Sequence, residues 1–305
     1  MSLPPLRDLT VRANGLSHHL VACDGARGPV LLLHGYLDVA HSFDRVIAGL
    51  GAAGYAVYAP DFRGHGDSDR VPEGAYYHFA DYVADVVGIL DALSLPTAHV
   101  VAHSMGATVA TMLAGVLPER VRSLSLLDGV GPPAMPADIA PDRTARWLEG
   151  LAKQRGRAPR RMATFDDVVR RLKVSHPELD EALLRAVAPA QVRTVEDGYV
   201  FRFDPLHQTM SPGRFDGEAY EAYVARVRCP VLQVWGSELA GFAELAERAA
   251  RYPEARRVHL DGAGHMMHWT QPEALAAALR GFLDGVSATE GAHEHGARGD
   301  GQRVG

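Results

Sequence analysis

The sequence predicts a mostly parallel, doubly wound α/β sheet, and three observations carry that prediction. Six short runs, apolar nearly throughout, recur along the chain. Amphipathic stretches of helical period separate them, and one long proline- and arginine-rich stretch interrupts the alternation before it resumes. Runs without a polar face suit a parallel sheet covered by helices on both sides, and strand–helix alternation implies right-handed crossovers. At 305 residues the chain is long enough for one large domain with a sizeable insertion.

Taken in order, segments around Leu9–Val11 and Leu16–Cys23 can form an antiparallel edge. The buried strands then follow as PVLLLH (Pro29–His34), GYAVYAPD (Gly54–Asp61), AHVVAHS (Ala98–Ser104) and VRSLSLLD (Val121–Asp128). CPVLQVWG (Cys229–Gly236) and ARRVHLDG (Ala255–Gly262) complete the set after the interruption. Helical period marks Ala80–Leu93, Gly106–Leu117, Ala240–Tyr252 and Pro272–Gly285. The interruption opens with GPPAMPADIAPD and continues with RTARWLEGLAKQRGRAPRR, which reads as a mostly helical insertion over one end of the sheet. The expected division is a core of residues 1–130 and 227–286, an insertion at 131–226, and a Gly-rich polar tail, disordered, at 287–305.

Composition narrows the function. Hydrophobic residues at 47% and charged residues at 22% are ordinary for a soluble globular protein. A net charge of −6 argues against nucleic acid as a partner. Cys23 and Cys229 stand far apart in no metal-ligand spacing, which fits a reducing compartment. MSLPPLRDLT lacks the apolar core of a signal peptide, and no run of about 18 apolar residues could span a bilayer. The expectation is a cytoplasmic protein with no membrane partner, no metal and no cofactor.

The chemistry centres on VVAHSMGATVA. The strand AHVVAHS ends and the helix MGATVATMLAGVLPER begins at Ser104, with Ala102 and Gly106 flanking it two positions to either side. So sharp a strand-to-helix turn needs small neighbours, lifts the hydroxyl clear of the sheet and aims free helix N–H groups at a developing oxyanion. Taken alone, Ser104 could equally be an N-cap residue. Other features favour chemistry. HGYLD (His34–Asp38) follows the first buried strand, where a loop can supply a second oxyanion N–H, so Tyr36 and Met105 are the expected donors. DGAGHMMHW places His265 in a loop ahead of the final helix, and Asp128 ends VRSLSLLD. Serine, then acid, then histidine is the chain order of the triad that goes with such an elbow.

In LLLHGYLDVAHSFDRV, APDFRGHGDSD, AHSMGATVA, LLDGVGPP, FRFDP and GAGHMMHWTQPEAL, running in order over about residues 15–285, the chain resembles the α/β-hydrolase superfamily, and more closely its serine hydrolase-like branch. The resemblance implies that residues 131–226 are a helical cap enclosing the substrate. It also exposes two departures: Ala102 stands where the elbow usually has its first glycine, and Leu239 stands where many relatives carry the triad aspartate. Glu238 lies one position earlier. Some relatives lacking the later aspartate use one at the end of the earlier strand, which Asp128 matches; Asp128 is therefore the expected acid and Glu238 the alternative.

Remaining candidates have plainer readings. His34 orders its loop and His103 fills space in the elbow, while His268 rivals His265 only by proximity. RGHGDSD, with Gly64 and Gly66, reads as a tight turn rather than a metal or phosphate loop. Gly262 and Gly264 lack the strand-to-helix context of a dinucleotide site. The HEH of His293–His295 has no further ligand cluster around it. Arg155, Arg157, Arg160, Arg161, Arg170 and Arg171 read first as a solvated helix face, with an anionic substrate as the alternative. Trp147, Phe165, Phe201 and Phe203 line a pocket or form the cap's own small core.

These residues point to a serine hydrolase acting on a small-molecule ester or related acyl bond through an acyl-enzyme on Ser104. Carbon–carbon bond hydrolysis, lactone opening and perhydrolysis use the same triad. The rival from another class is a small-molecule binding protein or receptor on the same fold, with weak catalysis.

Overall fold

The computed structural model describes residues 4–154, 157–236, 243–252 and 254–299. Eight strands form one sheet: β1 (Arg7–Ala13), β2 (Leu16–Cys23), β3 (Arg27–Leu33), β4 (Tyr55–Pro60), β5 (Ala98–His103), β6 (Val121–Leu127), β9 (Val231–Trp235) and β10 (Arg256–His259). Their spatial order is β1-β2-β4-β3-β5-β6-β9-β10. The pairs β1–β2 and β2–β4 are antiparallel and every other neighbour is parallel, so the antiparallel edge stands where the sequence placed it.

The period-2 geometry of strands explains why both faces had to be apolar. Leu31, Leu33, Val100, Ala102, Leu124 and Leu126 point into one core cluster, shared with α2 (Phe79–Ala92), α3 (Met105–Val116) and α7 (Gly217–Val224). Their sequence neighbours Val30, Leu32, Val101 and Leu127 point into a second, shared with α1 (Asp44–Ala52) and α10 (Pro272–Gly299). Helix α8 (Ala243–Ala250) returns the chain from β9 to β10, and the short α9 (Met267–Thr270) precedes α10. Both cysteines are free thiols. Among the described residues, no helix is long and apolar enough to cross a membrane.

One expectation needs correction, and two elements escape the sequence reading. Helix α1 was not read from the sequence, because its second half, AGLGA, offers little side-chain pattern. The insertion is mostly helical, with one hairpin in it. After α4 (Ala140–Gln154), α5 (Phe165–Ser175) and α6 (Glu181–Gln191), a hairpin of β7 (Val192–Val195) and β8 (Gly198–Phe201) intervenes before α7. Gly198, at φ +130°, makes its turn, and the flanking VRTV and YVF are β-branched and aromatic. Last, the chain continues as α10 from residue 287 to Gly299, where the sequence predicted a disordered tail. The segment extends a helix already nucleated over the amphipathic Pro272–Gly285 stretch, so its residues add turns without the cost of a new nucleus.

The insertion has its own core, where Val168, Val169, Leu172, Leu184 and Val192 pack with Phe165 and Phe201. Met266, at the end of the loop that carries His265, and Trp269 of α9 join it, so the insertion sits directly on that loop and helix.

Candidate active site

Parallel pairing puts two functional side chains side by side. His103 of β5 pairs with Leu127 of β6, so Ser104 and Asp128 leave the same edge of the sheet from adjacent strands. The Ser104 N–H bonds the Leu127 carbonyl at 3.0 Å, and the Asp128 N–H bonds the Val234 carbonyl at 2.9 Å. Both residues have left-handed backbone, with φ +51° at Ser104 and +46° at Asp128. Conformations of this kind cost about 1–3 kcal/mol for a non-glycine residue and persist only where surrounding packing dictates them.

That packing is visible at two glycines. A Cβ on Gly106 would lie 2.6 Å from the carbonyl oxygens of Leu33 and His34, and one on Gly35 would lie 2.7 Å from His103 Nδ1. The start of α3 therefore fits against the end of β3 only because residue 106 has no side chain. Ala102, fully buried, is small enough for the position where the resemblance leads one to expect glycine.

His265 arrives from the other side, in the loop between β10 and α9, where Gly264 N–H bonds the Gly236 carbonyl at 2.8 Å. Its Nδ1 lies 2.5 Å from Asp128 Oδ2 and its Nε2 lies 3.1 Å from Ser104 Oγ. The Ser104 side chain makes no capping bond to α3, so its hydroxyl is not spent on the helix. Asp128 is almost wholly buried, at 3% side-chain exposure, whereas His265 is 46% exposed. Met105 opens α3, and the first N–H groups of a helix have no intrahelical acceptor. Tyr36 lies on the neighbouring loop after β3, and its hydroxyl donates to the His207 carbonyl in the insertion. Glu238 and Leu239 lie outside the described residues.

The other histidines have structural partners. His34 donates from Nδ1 to the Gly35 carbonyl at 2.7 Å and accepts the Phe62 N–H on Nε2 at 2.9 Å. His103 donates from Nε2 to the His265 carbonyl at 2.9 Å; burial holds it well below the usual imidazole range, hence neutral. His65, in the RGHGDSD turn, is fully buried and likewise neutral, with Gly64 and Gly66 at φ +73° and +57°.

Sequence reasoning missed a second His–Asp pair. His268 Nε2 donates to Asp38 Oδ2 at 3.0 Å, and Gln191 at the end of α6 donates to Asp38 Oδ1 at 2.8 Å. Asp38 thus ties the Tyr36 loop to the His265 loop and to the insertion at once. The signal lay in HGYLD and HMMH, the same two motifs that supplied Tyr36 and His265. Arg248 was also missed. Fully buried, it bonds the Val130 and Pro132 carbonyls at 3.2 and 2.7 Å and sits 5.5 Å from the ring centres of Phe215 and Tyr220, fastening the start of the insertion.

A cavity of about 400 Å³ opens beside Tyr36 and Met105. Tyr76, Tyr77, Phe79, Tyr82, Leu206 and Phe215 make it largely apolar and aromatic, with Arg143 and Arg214 also in its wall. Of the insertion's candidate aromatics, Phe165 packs in the insertion's core and Phe201 borders it, stacking on Phe203 at 5.3 Å. Trp147 meets Tyr76 edge to face at 5.6 Å. Of the arginines, Arg161 pairs with Asp197 at 2.7 Å and Arg170 pairs with Asp167, while Arg157, Arg160 and Arg171 border a separate groove with Phe201 and Phe203. Arg155, and the side chains of His293 and His295, lie outside the described residues.

A strand-to-helix serine, an acid from the next strand and a histidine from the last loop define a class of protein, and the comparisons identify it. The model of the α/β hydrolase fold matches residues 28–272, and the chain belongs to that family. Within it the chain is an enzyme of the serine hydrolase-like branch. It is 28% identical over 269 residues to a serine hydrolase-like protein of Danio rerio, covering 84% of this chain and 81% of that one. To an esterase of Mycobacterium tuberculosis it is 30% identical over 273 residues, 85% of this chain and 84% of the esterase. The crystal structure of a hypothetical protein from Pseudomonas aeruginosa PAO1 superposes with a TM-score of 0.83 at 30% identity, covering 91% of this chain and 99% of that one.

Proposed function

We propose that this chain hydrolyses carboxylic esters of small, largely apolar molecules through a Ser104–His265–Asp128 triad. The observation that carries the reading is the continuous path Asp128 Oδ2–His265 Nδ1 at 2.5 Å and His265 Nε2–Ser104 Oγ at 3.1 Å. Asp128 holds the ring in the Nδ1–H tautomer, which leaves the Nε2 lone pair facing the serine. Ser104 Oγ attacks the ester carbonyl while Nε2 takes its proton. The backbone N–H groups of Tyr36 and Met105 receive the oxyanion, where aligned donors in a dry site are worth most. The imidazolium then protonates the departing alkoxide. Water, activated by the same Nε2, releases the acid and regenerates Ser104. No cofactor takes part in these steps.

The aromatic cavity beside the two oxyanion donors supports an apolar acyl or alcohol group. The sequence similarity to an esterase points the same way.

A fluorophosphonate probe tests the reading, together with a panel of p-nitrophenyl esters, lactones and diketones. Rapid labelling of the wild type but not of Ser104→Ala, with turnover of esters, is expected. A folded wild type that neither labels nor turns over any ester would overturn it in favour of a binding protein.

A further inference from the structure

The antiparallel edge of the sheet carries a second cluster of chemistry-bearing side chains, which shares no residue with the proposed triad. In the β1–β2 register, Asp8 pairs with Val21 and Thr10 with His19, so Asp8 and His19 are diagonal neighbours on one face. His18 faces the other way, toward Asp85. The 3₁₀ turn Ala40–Phe43, which follows the Tyr36 loop, brings His41 onto the same face as Asp8. His19 Nε2 and His41 Nε2 both point at Asp8 Oδ1, at 3.0 and 3.1 Å.

The second nitrogen of each ring is also committed. His19 Nδ1 lies 2.7 Å from Asp61 Oδ2, and His41 Nδ1 lies 3.1 Å from Asp44 Oδ1. Asp61 is buried and fixed in turn by the N–H groups of Ala40 and Asp67, at 2.7 and 3.0 Å. Each Nε2–H here donates to Asp8 Oδ1, and the carboxylates flanking the two rings outweigh burial and raise both above the ordinary imidazole range, His19 to about 9. A cation that displaces those two ring protons would meet two imidazole nitrogens and a carboxylate oxygen, all within 4.8 Å of one another. Carboxylate–histidine pairing behind each ligand is the usual outer shell of a bound metal ion.

We propose that Asp8, His19 and His41 bind a divalent transition-metal ion, Zn²⁺ in the first place. Two imidazoles and one carboxylate suit zinc, nickel or copper rather than calcium or magnesium. Ligand bonds near 2.0–2.1 Å in a tetrahedron put neighbouring ligand atoms roughly 3.3 Å apart. Asp8 Oδ1 already lies 3.0 and 3.1 Å from the two ring nitrogens, and all three atoms lie within 4.8 Å of one another. Asp8 is exposed, which gives the ion access from solvent and leaves the fourth position to water. Linear spacing concealed the site, because its ligands come from two strands and a turn.

Isothermal titration of ZnCl₂ into the EDTA-treated full-length chain is the test, carried out on a His293→Ala/His295→Ala background so that the tail cannot supply ligands. One ion per chain is expected to bind at micromolar concentration or tighter. His41→Ala and Asp8→Asn should each weaken that binding by about 100-fold, and Asp44→Asn, which touches only the outer shell, by about 10-fold. Zinc should raise the melting temperature of the parent but not of His41→Ala, and circular dichroism shows that each variant is folded. Two results would overturn the site: no zinc uptake by the parent at about 100 μM, or undiminished uptake by a folded Asp8→Asn/His41→Ala double variant.

Discussion

His265 and His268 stand three positions apart in the sequence, and each bonds an aspartate, Asp128 at 2.5 Å and Asp38 at 3.0 Å. What surrounds the two rings differs. His265 is 46% exposed and turns its free nitrogen to Ser104, whereas the His268 side chain is fully buried and stacks on Phe43 at 4.0 Å. Burial pushes His268 below the ordinary imidazole value even beside a carboxylate, so it stays neutral and donates from Nε2. Burial alone would raise Asp38, but the bonds from His268 and Gln191 outweigh it and hold the carboxyl well below its usual range. An ionised carboxylate with two neutral donors is a fastening. A histidine becomes a base only where its second nitrogen meets a reactant.

The largest expected effects fall on the exposed pair and its serine. Ser104→Ala and His265→Ala should each lower kcat by about 10⁴–10⁶ while leaving the circular dichroism spectrum unchanged. Asp128→Asn comes next, at about 10³–10⁴, because the amide lets His265 adopt the wrong tautomer. Glu238→Gln should remain within a few-fold of wild type. If the ranking of Asp128→Asn and Glu238→Gln reverses in folded proteins, the acid is Glu238.

The buried pair should respond in stability instead. His268→Ala leaves the ionised Asp38 with Gln191 as its remaining side-chain donor, and taking a donor from a buried charged acceptor costs about 3 kcal/mol. Urea unfolding should show that loss, while kcat per folded molecule falls less than about tenfold. Asp38→Asn/His268→Ala should be more stable than the sum of its single variants, since the two residues are coupled. A His268→Ala protein of normal stability and negligible kcat would erase the distinction between the two pairs.

Much of this contrast was legible in the sequence and part was not. Ser104 could be placed because strand, turn and helix signals meet at one residue. The end of an apolar strand gives Asp128 one address on the sheet edge, but only the resemblance favours it over Glu238. Asp38 and Gln191 could not, because their meeting depends on how the insertion folds back over the core. Strand periodicity says nothing about that. The hairpin β7–β8 was missed for a related reason: four-residue strands sit at the lower limit of the length over which alternation can be read. Asp8, His19 and His41 lie on three elements, so their convergence depends on a register that no local pattern encodes.

The smallest effect expected here extends the lesson of His268 to a third ring. His207, in the 3₁₀ turn Pro205–Gln208, lies between Tyr77 and His65, with ring centres 3.9 and 4.1 Å away. Burial pushes its pKa down to about 4, against the pull of Asp204. Its folded value therefore lies below the ordinary unfolded value of about 6.5. A depressed folded pKa contributes stability that is fully present above about pH 6.5 and is lost as pH falls toward 4, because the unfolded chain takes up the proton first. Between pH 7 and pH 5 that loss amounts to about 2 kcal/mol from this one ring. His207→Asn removes the titration along with some packing, so the variant should be less stable than wild type at pH 7. The gap should narrow by about 2 kcal/mol at pH 5, as read from paired urea titrations. A gap that stays constant between the two pH values would mean that His207 takes up its proton in the folded protein as readily as in the unfolded chain. Burial would then not be what keeps these rings neutral.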